Sequence, residues 1–339
     1  MLRALTVSFL ATACSASLLA SDYTLLATPS TVAWGYYSGS SKPVLTVHSG
    51  DTVRMQTLST CGPPERLIAR GVKPEDIPPY TAPIYKEVTD KGPGGHILTG
   101  PVAIEEAEPG DLLEVQILKI DIDANFACNG FGLGRGFLPM EYPYSRNKII
   151  PLDRKSMVAN FAPGINIPLR PFFGSMGVAP AGARIDSAPP FAHAGNMDNK
   201  ELVAGTTLYI PVAVKGALFQ AGDGHAGQGN GEVDITALET YLSGTFKFVV
   251  HKDKHLIWPR AETPTHYISM GFSKDLKEAT ELALRDMIEF LMEEKHLSRD
   301  DAYMLSSVAI DLDITQLVDG NVGVHAMCPK NIFTDTASK

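Results

Sequence analysis

The chain has 339 residues, with 29 Lys and Arg against 38 Asp and Glu, a formal net charge of −9. That length allows one large domain, or two intimately packed ones, around a sizeable core. The acidic balance argues against nucleic acid or anionic lipid as a partner, since both need clustered Lys and Arg.

At the amino end, Met1-Leu2-Arg3 is a short positive start, followed by an apolar run from Ala4 to Ala20, after which Ser21-Asp22 restores polarity. The run is short for a membrane span and ends in small residues, which is the pattern of a signal peptide cleaved after Ala20. A periplasmic or secreted mature chain, 21–339, without stable membrane insertion, is the expectation. Cys14 offers a lipoprotein alternative, disfavoured because Ala11 stands where a branched apolar residue is preferred. Cys61, Cys128 and Cys328 remain after cleavage, enough for at most one internal disulfide.

Strand patterns dominate the mature chain. Pro43–His48 and Thr52–Leu58 alternate apolar and polar residues around Ser49-Gly50-Asp51 and read as a hairpin. Val102–Glu105 and Leu112–Ile122 are joined by the turn Glu108-Pro109-Gly110-Asp111. Residues 124 to 200, rich in Gly and Pro, predict short segments and long loops. Thr206–Val214 and Leu218–Ala221 read as strands leading into a glycine-rich loop, and Gly244–His251 alternates again. A long helix is expected from an N-cap at Ser273 to about Glu294, with Leu276, Ala279, Ala283, Met287 and Phe290 on one face. A shorter helix starts at Ser298, where Asp301 supplies a capping-box variant. Val308–Val318 reverts to strand, and Asp319-Gly320-Asn321 turns into a last strand ending near Cys328. These elements predict a mainly β fold, an antiparallel sandwich or barrel-like core with a late helical insertion.

Three clusters could carry chemistry. In Gly222-Asp223-Gly224-His225-Ala226-Gly227-Gln228-Gly229-Asn230-Gly231-Glu232, glycines permit positive φ and close backbone approach, so that Asp223, His225 and Glu232 can converge. A flexible polar loop would look much the same. Asn196 and Asp198 are two apart, so an extended backbone turns both side chains the same way, for oxygen ligation or an Asx turn. His96 stands among glycines in Gly94-Gly95-His96, where a structural or solvated imidazole is the plainer reading. His251 and His255 have a zinc-like spacing but lie in a charged turn, and Cys128 beside Gly130 is a candidate nucleophile without an evident partner.

His96-x-x-Thr99-Gly100-Pro101, Glu108-Pro109-Gly110-Asp111, Gly195-Asn196-Met197-Asp198 and Gly222-Asp223-Gly224-His225 with Gly231-Glu232 occur in the order found in acetamidase/formamidase proteins, which the chain resembles from about Val44 to Phe333. The resemblance implies a mostly β fold over 21–339, hydrolysis of a small amide substrate to carboxylate and ammonia, a homo-oligomer and a bound divalent metal. The matching positions are His96, Asn196, Asp198, Asp223, His225 and Glu232: His96, Asp198, Asp223 and His225 are the expected metal ligands, Glu232 the catalytic base or a further ligand, and Asn196, with nearby Gln228, is expected to bind substrate or support the ligands. Imidazole donors favour a zinc-like ion, and calcium is the alternative. Gly227 and Asn230 depart from the family's expected loop and leave room for a different C–N or ester substrate. A second class of function stays open: a non-catalytic β-sandwich binding protein with a structural metal.

Overall fold

A computed structural model describes residues 20–334. Most of the expected leader, with Cys14, lies outside the described residues. Among the described residues, no helix is long and apolar enough to cross a membrane.

Two sheets carry the architecture. The larger has nine strands in the order Asp22–Leu25, Thr52–Gln56, Leu242–His251, Leu112–Ile122, Thr206–Pro211, Arg260–Glu262, His266–Ser273, Val322–Pro329 and Asp311–Gln316. The second follows the path Ala194–Asn196, Phe172–Gly177, Phe219–His225, Ile97–Ile104 and Val32–Trp34, with Leu45–Val47 also paired to Ile97–Ile104. Pairing is antiparallel except at Asp22–Leu25 on Thr52–Gln56 and at Leu45–Val47 on Ile97–Ile104. One continuous core lies between the sheets. Phe173 and Phe219 of the second meet Phe246 and Phe248 of the first, with ring centroids 5.1 to 5.7 Å apart. Gly244 makes that contact possible, because a Cβ there would come within 2.6 Å of the Phe173 ring. A separate four-stranded sheet runs Ile165–Pro168, Val158–Ala162, Arg146–Asp153 and Phe126–Phe131.

The mainly β expectation holds, and local details differ for physical reasons. Asp51 accepts from the His48 N–H and closes a tight turn, yet the flanking strands do not pair. Leu45–Val47 joins the second sheet and Thr52–Gln56 the first, so the expected hairpin is a corner between sheets. Glu108–Asp111 does the same for Ile97–Ile104 and Leu112–Ile122, with Asp111 accepting from the Glu108 N–H at 2.7 Å. Turn chemistry dictates the reversal of the chain and not the sheet that each arm joins.

The glycine-rich loop begins as strand, since Gly222–His225 completes Phe219–His225 and pairs on both sides. The long helix runs Leu276–Lys295 and is capped by Asp275, whose carboxylate accepts from the Glu278 N–H, while Ser273 ends the preceding strand. Ser298 caps Arg299–Ala309 as expected, and the next strand starts at Asp311 rather than Val308. Two short helices, Pro64–Ala69 and Thr81–Glu87, were not legible in the pattern of apolar residues.

Candidate functional site

The strand Phe219–His225 changes character along its length. Phe219 and Ala221 are buried in the core between the sheets, whereas Asp223 and His225 enter a charged cluster. Asp223 does so with φ of +56°, and Asp198 (+52°) and Glu232 (+43°) share the left-handed region. Such backbone costs non-glycine residues about 1–3 kcal/mol each and gathers at functional sites. Gly174 lies against the cluster from the neighbouring strand. A Cβ there would come within 2.4 Å of both Asp198 Oδ1 and Asp223 Oδ2, so only glycine lets the two carboxylates approach.

His225 is the centre. Its Nε2 lies 3.3 Å from Asp223 Oδ2 and 3.2 Å from Glu239 Oε1, and its Nδ1 is 3.0 Å from Gln228 Oε1. Gln228 also donates to the Asp198 carbonyl at 2.9 Å, which ties the two halves of the site. Asn196 donates to Asp198 Oδ2 at 2.8 Å and accepts from Ser175 at 2.7 Å. His96 stands at the edge, with Nε2 3.9 Å from Asp223 and Nδ1 3.0 Å from Ser187.

Ligand-type atoms form three overlapping groups, Asp198 with Asp223 and His225, His225 with Glu232 and Glu239, and Asp198 with Glu232 and Asp319, each within 4.8 Å of one another. Asp198 Oδ1, Asp319 Oδ2 and His225 Nε2 are buried without a hydrogen-bond partner. Buried polar atoms left unpaired are costly, and a cation held by Asp198, Asp223 and His225 would partner two of these residues, while Asp319 belongs to the neighbouring group with Asp198 and Glu232. These acidic and imidazole groups could therefore hold a divalent metal ion.

The same crowding shifts their protonation. Burial, reinforced by Glu232, Asp319 and Asp223, pushes the Asp198 carboxyl well up, and burial beside Asp319, Glu239 and Asp223 does the same to Glu232. Asp319 is raised to about 6, mainly by burial. Burial also opposes ionisation of Asp223, but the adjacent His225 and His96 outweigh it and lower its pKa. Burial would likewise lower His225, and Glu239 and Asp223 overcome it to raise its pKa. Five carboxyl groups share this small volume with two imidazoles, and like charges that close cannot all remain ionised without a cation.

Of the residues singled out in the sequence, Asp198, Asp223, His225 and Glu232 converge, Asn196 and Gln228 brace them, and His96 lies outside the three close groups. Glu239 and Asp319 were missed. Glu239 is a charged residue inside the otherwise weakly polar run Ala237–Leu242, a signal that could have exposed it, whereas Asp319-Gly320 reads as an ordinary turn. Cys128 is disulfide-bonded to Cys61, which removes it as a candidate nucleophile. His251 pairs with Glu114 and His255 with the Gly110 carbonyl, and neither belongs to the three ligand-type groups.

The chain is similar in sequence and in fold to known formamidases and acetamidases. The Acetamidase/Formamidase family model matches residues 42–188 and 181–335. A formamidase from Methylophilus methylotrophus is 26% identical over 315 residues, spanning 70% of this chain and 77% of its own length. An acetamidase from Mycolicibacterium smegmatis is 26% identical over 202 residues, which cover 41% of this chain and about half (49%) of that protein. The crystal structure of an acetamidase from Bacillus halodurans superposes with a TM-score of 0.78 at 28% identity, covering 93% of this chain and 100% of that one.

Proposed function

The chain belongs to the acetamidase/formamidase family and is an amidohydrolase, and on that premise we propose that it cleaves the C–N bond of small linear amides, of the formamide and acetamide type, to carboxylate and ammonia with a divalent metal held by Asp198, Asp223 and His225. The observation that carries the metal is the pair of unpartnered buried atoms, Asp198 Oδ1 and His225 Nε2, within the close group that Asp198 and His225 form with Asp223. An imidazole among the donors favours a zinc-like ion over calcium.

When bound there, such an ion supplies Lewis-acid polarisation of the amide carbonyl and makes water more acidic. The protein's own groups do the rest. Gln228 and Asn196 fix His225 and Asp198 in place through the bonds described above. Glu232, buried and within reach of both donor groups that include it, is assigned the proton transfer: it accepts a proton from the attacking water and returns it to the departing ammonia. The depth of the cluster keeps bulk water out and strengthens each of these interactions. His96, partly exposed beside Asp223, is a supporting group at the rim.

Export of the mature chain 21–339 is part of the same proposal. It is supported by Arg3 followed by the apolar run to Ala20, and the Cys61–Cys128 disulfide suits an oxidising compartment.

The test is ammonia release from acetamide by wild type and Glu232→Gln, with zinc content measured on both. We expect kcat to fall by about a hundredfold to ten-thousandfold with KM changing less and zinc retained. Loss of zinc together with activity would make Glu232 a metal ligand instead of the proton carrier.

A further inference from the structure

Glu239 is held at the two ends of one disulfide bond and by its own neighbour Ala237. Its backbone N–H donates to the Cys128 carbonyl and its carbonyl accepts from the Cys128 N–H, each at 2.9 Å. Cys61 Sγ lies 3.3 Å from that same carbonyl oxygen. The side chain is as constrained as the backbone. Glu239 Oε2 accepts from the Thr60 hydroxyl at 2.5 Å, and Oε1 accepts from the Ala237 N–H at 2.8 Å while facing His225 Nε2 at 3.2 Å. Cys61 follows Thr60 directly, and its disulfide to Cys128 is buried at both ends. Ala237 apart, the residues that hold Glu239 therefore come from two distant parts of the chain joined by that bond, 67 residues apart in sequence.

We propose that the Cys61–Cys128 disulfide is a clamp that positions Glu239 against His225, so that the hydrolytic site is fully assembled only in the oxidised chain. This rests on the amidase reading and adds to it a positioning residue and a redox condition. Reduction breaks one S–S bond and forms two thiols with two electrons and two protons. The sulfurs must then separate to van der Waals distance within a packed interior. Thr57 remains anchored to the Leu242 carbonyl by its N–H and hydroxyl, both at 2.9 Å, so the displacement falls on the far end of the segment, at Thr60 and Cys61. The short Thr60–Glu239 bond is the first contact to lose its geometry, and Glu239 then turns from His225. Misplacement of a catalytic group by about an ångström costs about a hundredfold in rate, so loosening this support has a measurable effect. In a reducing compartment the chain is then a slow enzyme, and it becomes fully competent where the disulfide forms.

The experiment compares oxidised wild type with protein reduced by a water-soluble phosphine, which becomes its oxide by taking oxygen from water as the two thiols form. Reduction is expected to lower kcat for acetamide about tenfold to a hundredfold, with KM changing less, circular dichroism unchanged, and activity returning on reoxidation. In the oxidised protein, Thr60→Val should lower kcat in the same sense while Thr60→Ser, which keeps the hydroxyl, restores it. A reduced, folded protein with wild-type kcat overturns the clamp, and so does a Thr60→Val protein indistinguishable from wild type. If reduction unfolds the chain, the Thr60 pair decides. If oxidised wild type releases ammonia from no short amide, the amidase reading fails and zinc affinity judges the clamp separately. A weakening of about tenfold or more on reduction supports it, and equal affinities overturn it.

Discussion

Two regions share the strand Phe219–His225 and obey opposite rules. Around Phe219 the side chains are apolar and interlocked, with Phe246 and Phe248 edge-on at 5.7 and 5.1 Å. Four residues on, around Asp223, the same strand meets clustered carboxyls, unpaired buried oxygens and left-handed backbone. The first region lowers the free energy of the folded chain, and the second raises it to place donors at one point. The contrast teaches that stability and chemistry are separable here within seven residues, and that the rigid core is what holds the strained site in shape.

The largest expected effect tests the stabilising half. Phe219→Ala removes a fully buried ring from the inter-sheet core and should cost about 3–5 kcal/mol in denaturant unfolding. The activity of the fraction that remains folded should change far less than its stability.

Acidification probes two buried imidazoles, His193 and His325. Burial lowers His193 from its ordinary 6.5 to about 4, and His325 likewise, mainly through burial. Both are neutral when folded, so the unfolded chain binds more protons below 6.5. Their contribution to stability is intact above that pH and is lost as pH falls from about 6.5 towards 4, by up to about 3 kcal/mol for each. His193→Phe should flatten the decline of unfolding free energy over that window, and an unchanged slope would show that His193 does not cause it.

Gly174→Ala tests the other half. Its new methyl would collide with Asp198 and Asp223, so those carboxylates must move apart. Activity should fall about a hundredfold, while stability falls by only about 1–3 kcal/mol, the ordinary cost of overpacking. A fully active Gly174→Ala protein would mean that the close approach of the two carboxylates is not needed.

The same contrast explains what the sequence disclosed. Asp198, Asp223, His225 and Glu232 were visible because glycines beside charged residues mark places where the chain must bend and polar groups gather. The overall β character was visible in the alternation of Thr52–Leu58 and Gly244–His251. Sheet membership was not, because the turns at Ser49–Asp51 and Glu108–Asp111 are satisfied by local bonds whichever sheet each arm enters. Glu239 and Asp319 escaped because their place in the site depends on long-range pairing. Glu239 arrives through its bridges to Cys128 and His225, and Asp319 through the turn between two outer strands. The strand through Gly222–His225 was hidden for a related reason: glycine weakens strand preference, and only pairing with Phe172–Gly177 and Ile97–Ile104 overrides it. The helix Pro64–Ala69 begins on proline at its first position and is too short to show a helical period.

Asp198→Asn measures the central claim most directly, with ammonia release from acetamide and thermal unfolding recorded on the same metal-depleted and zinc-reconstituted samples. The substitution keeps the shape of the side chain and removes one of the crowded carboxyl groups. The account predicts that the metal-depleted variant unfolds at the same temperature as wild type or higher, that zinc no longer raises that temperature as it does in wild type, and that amide hydrolysis is lost. A variant that hydrolyses acetamide at the wild-type rate would contradict the account, as would a metal-depleted variant that unfolds well below wild type.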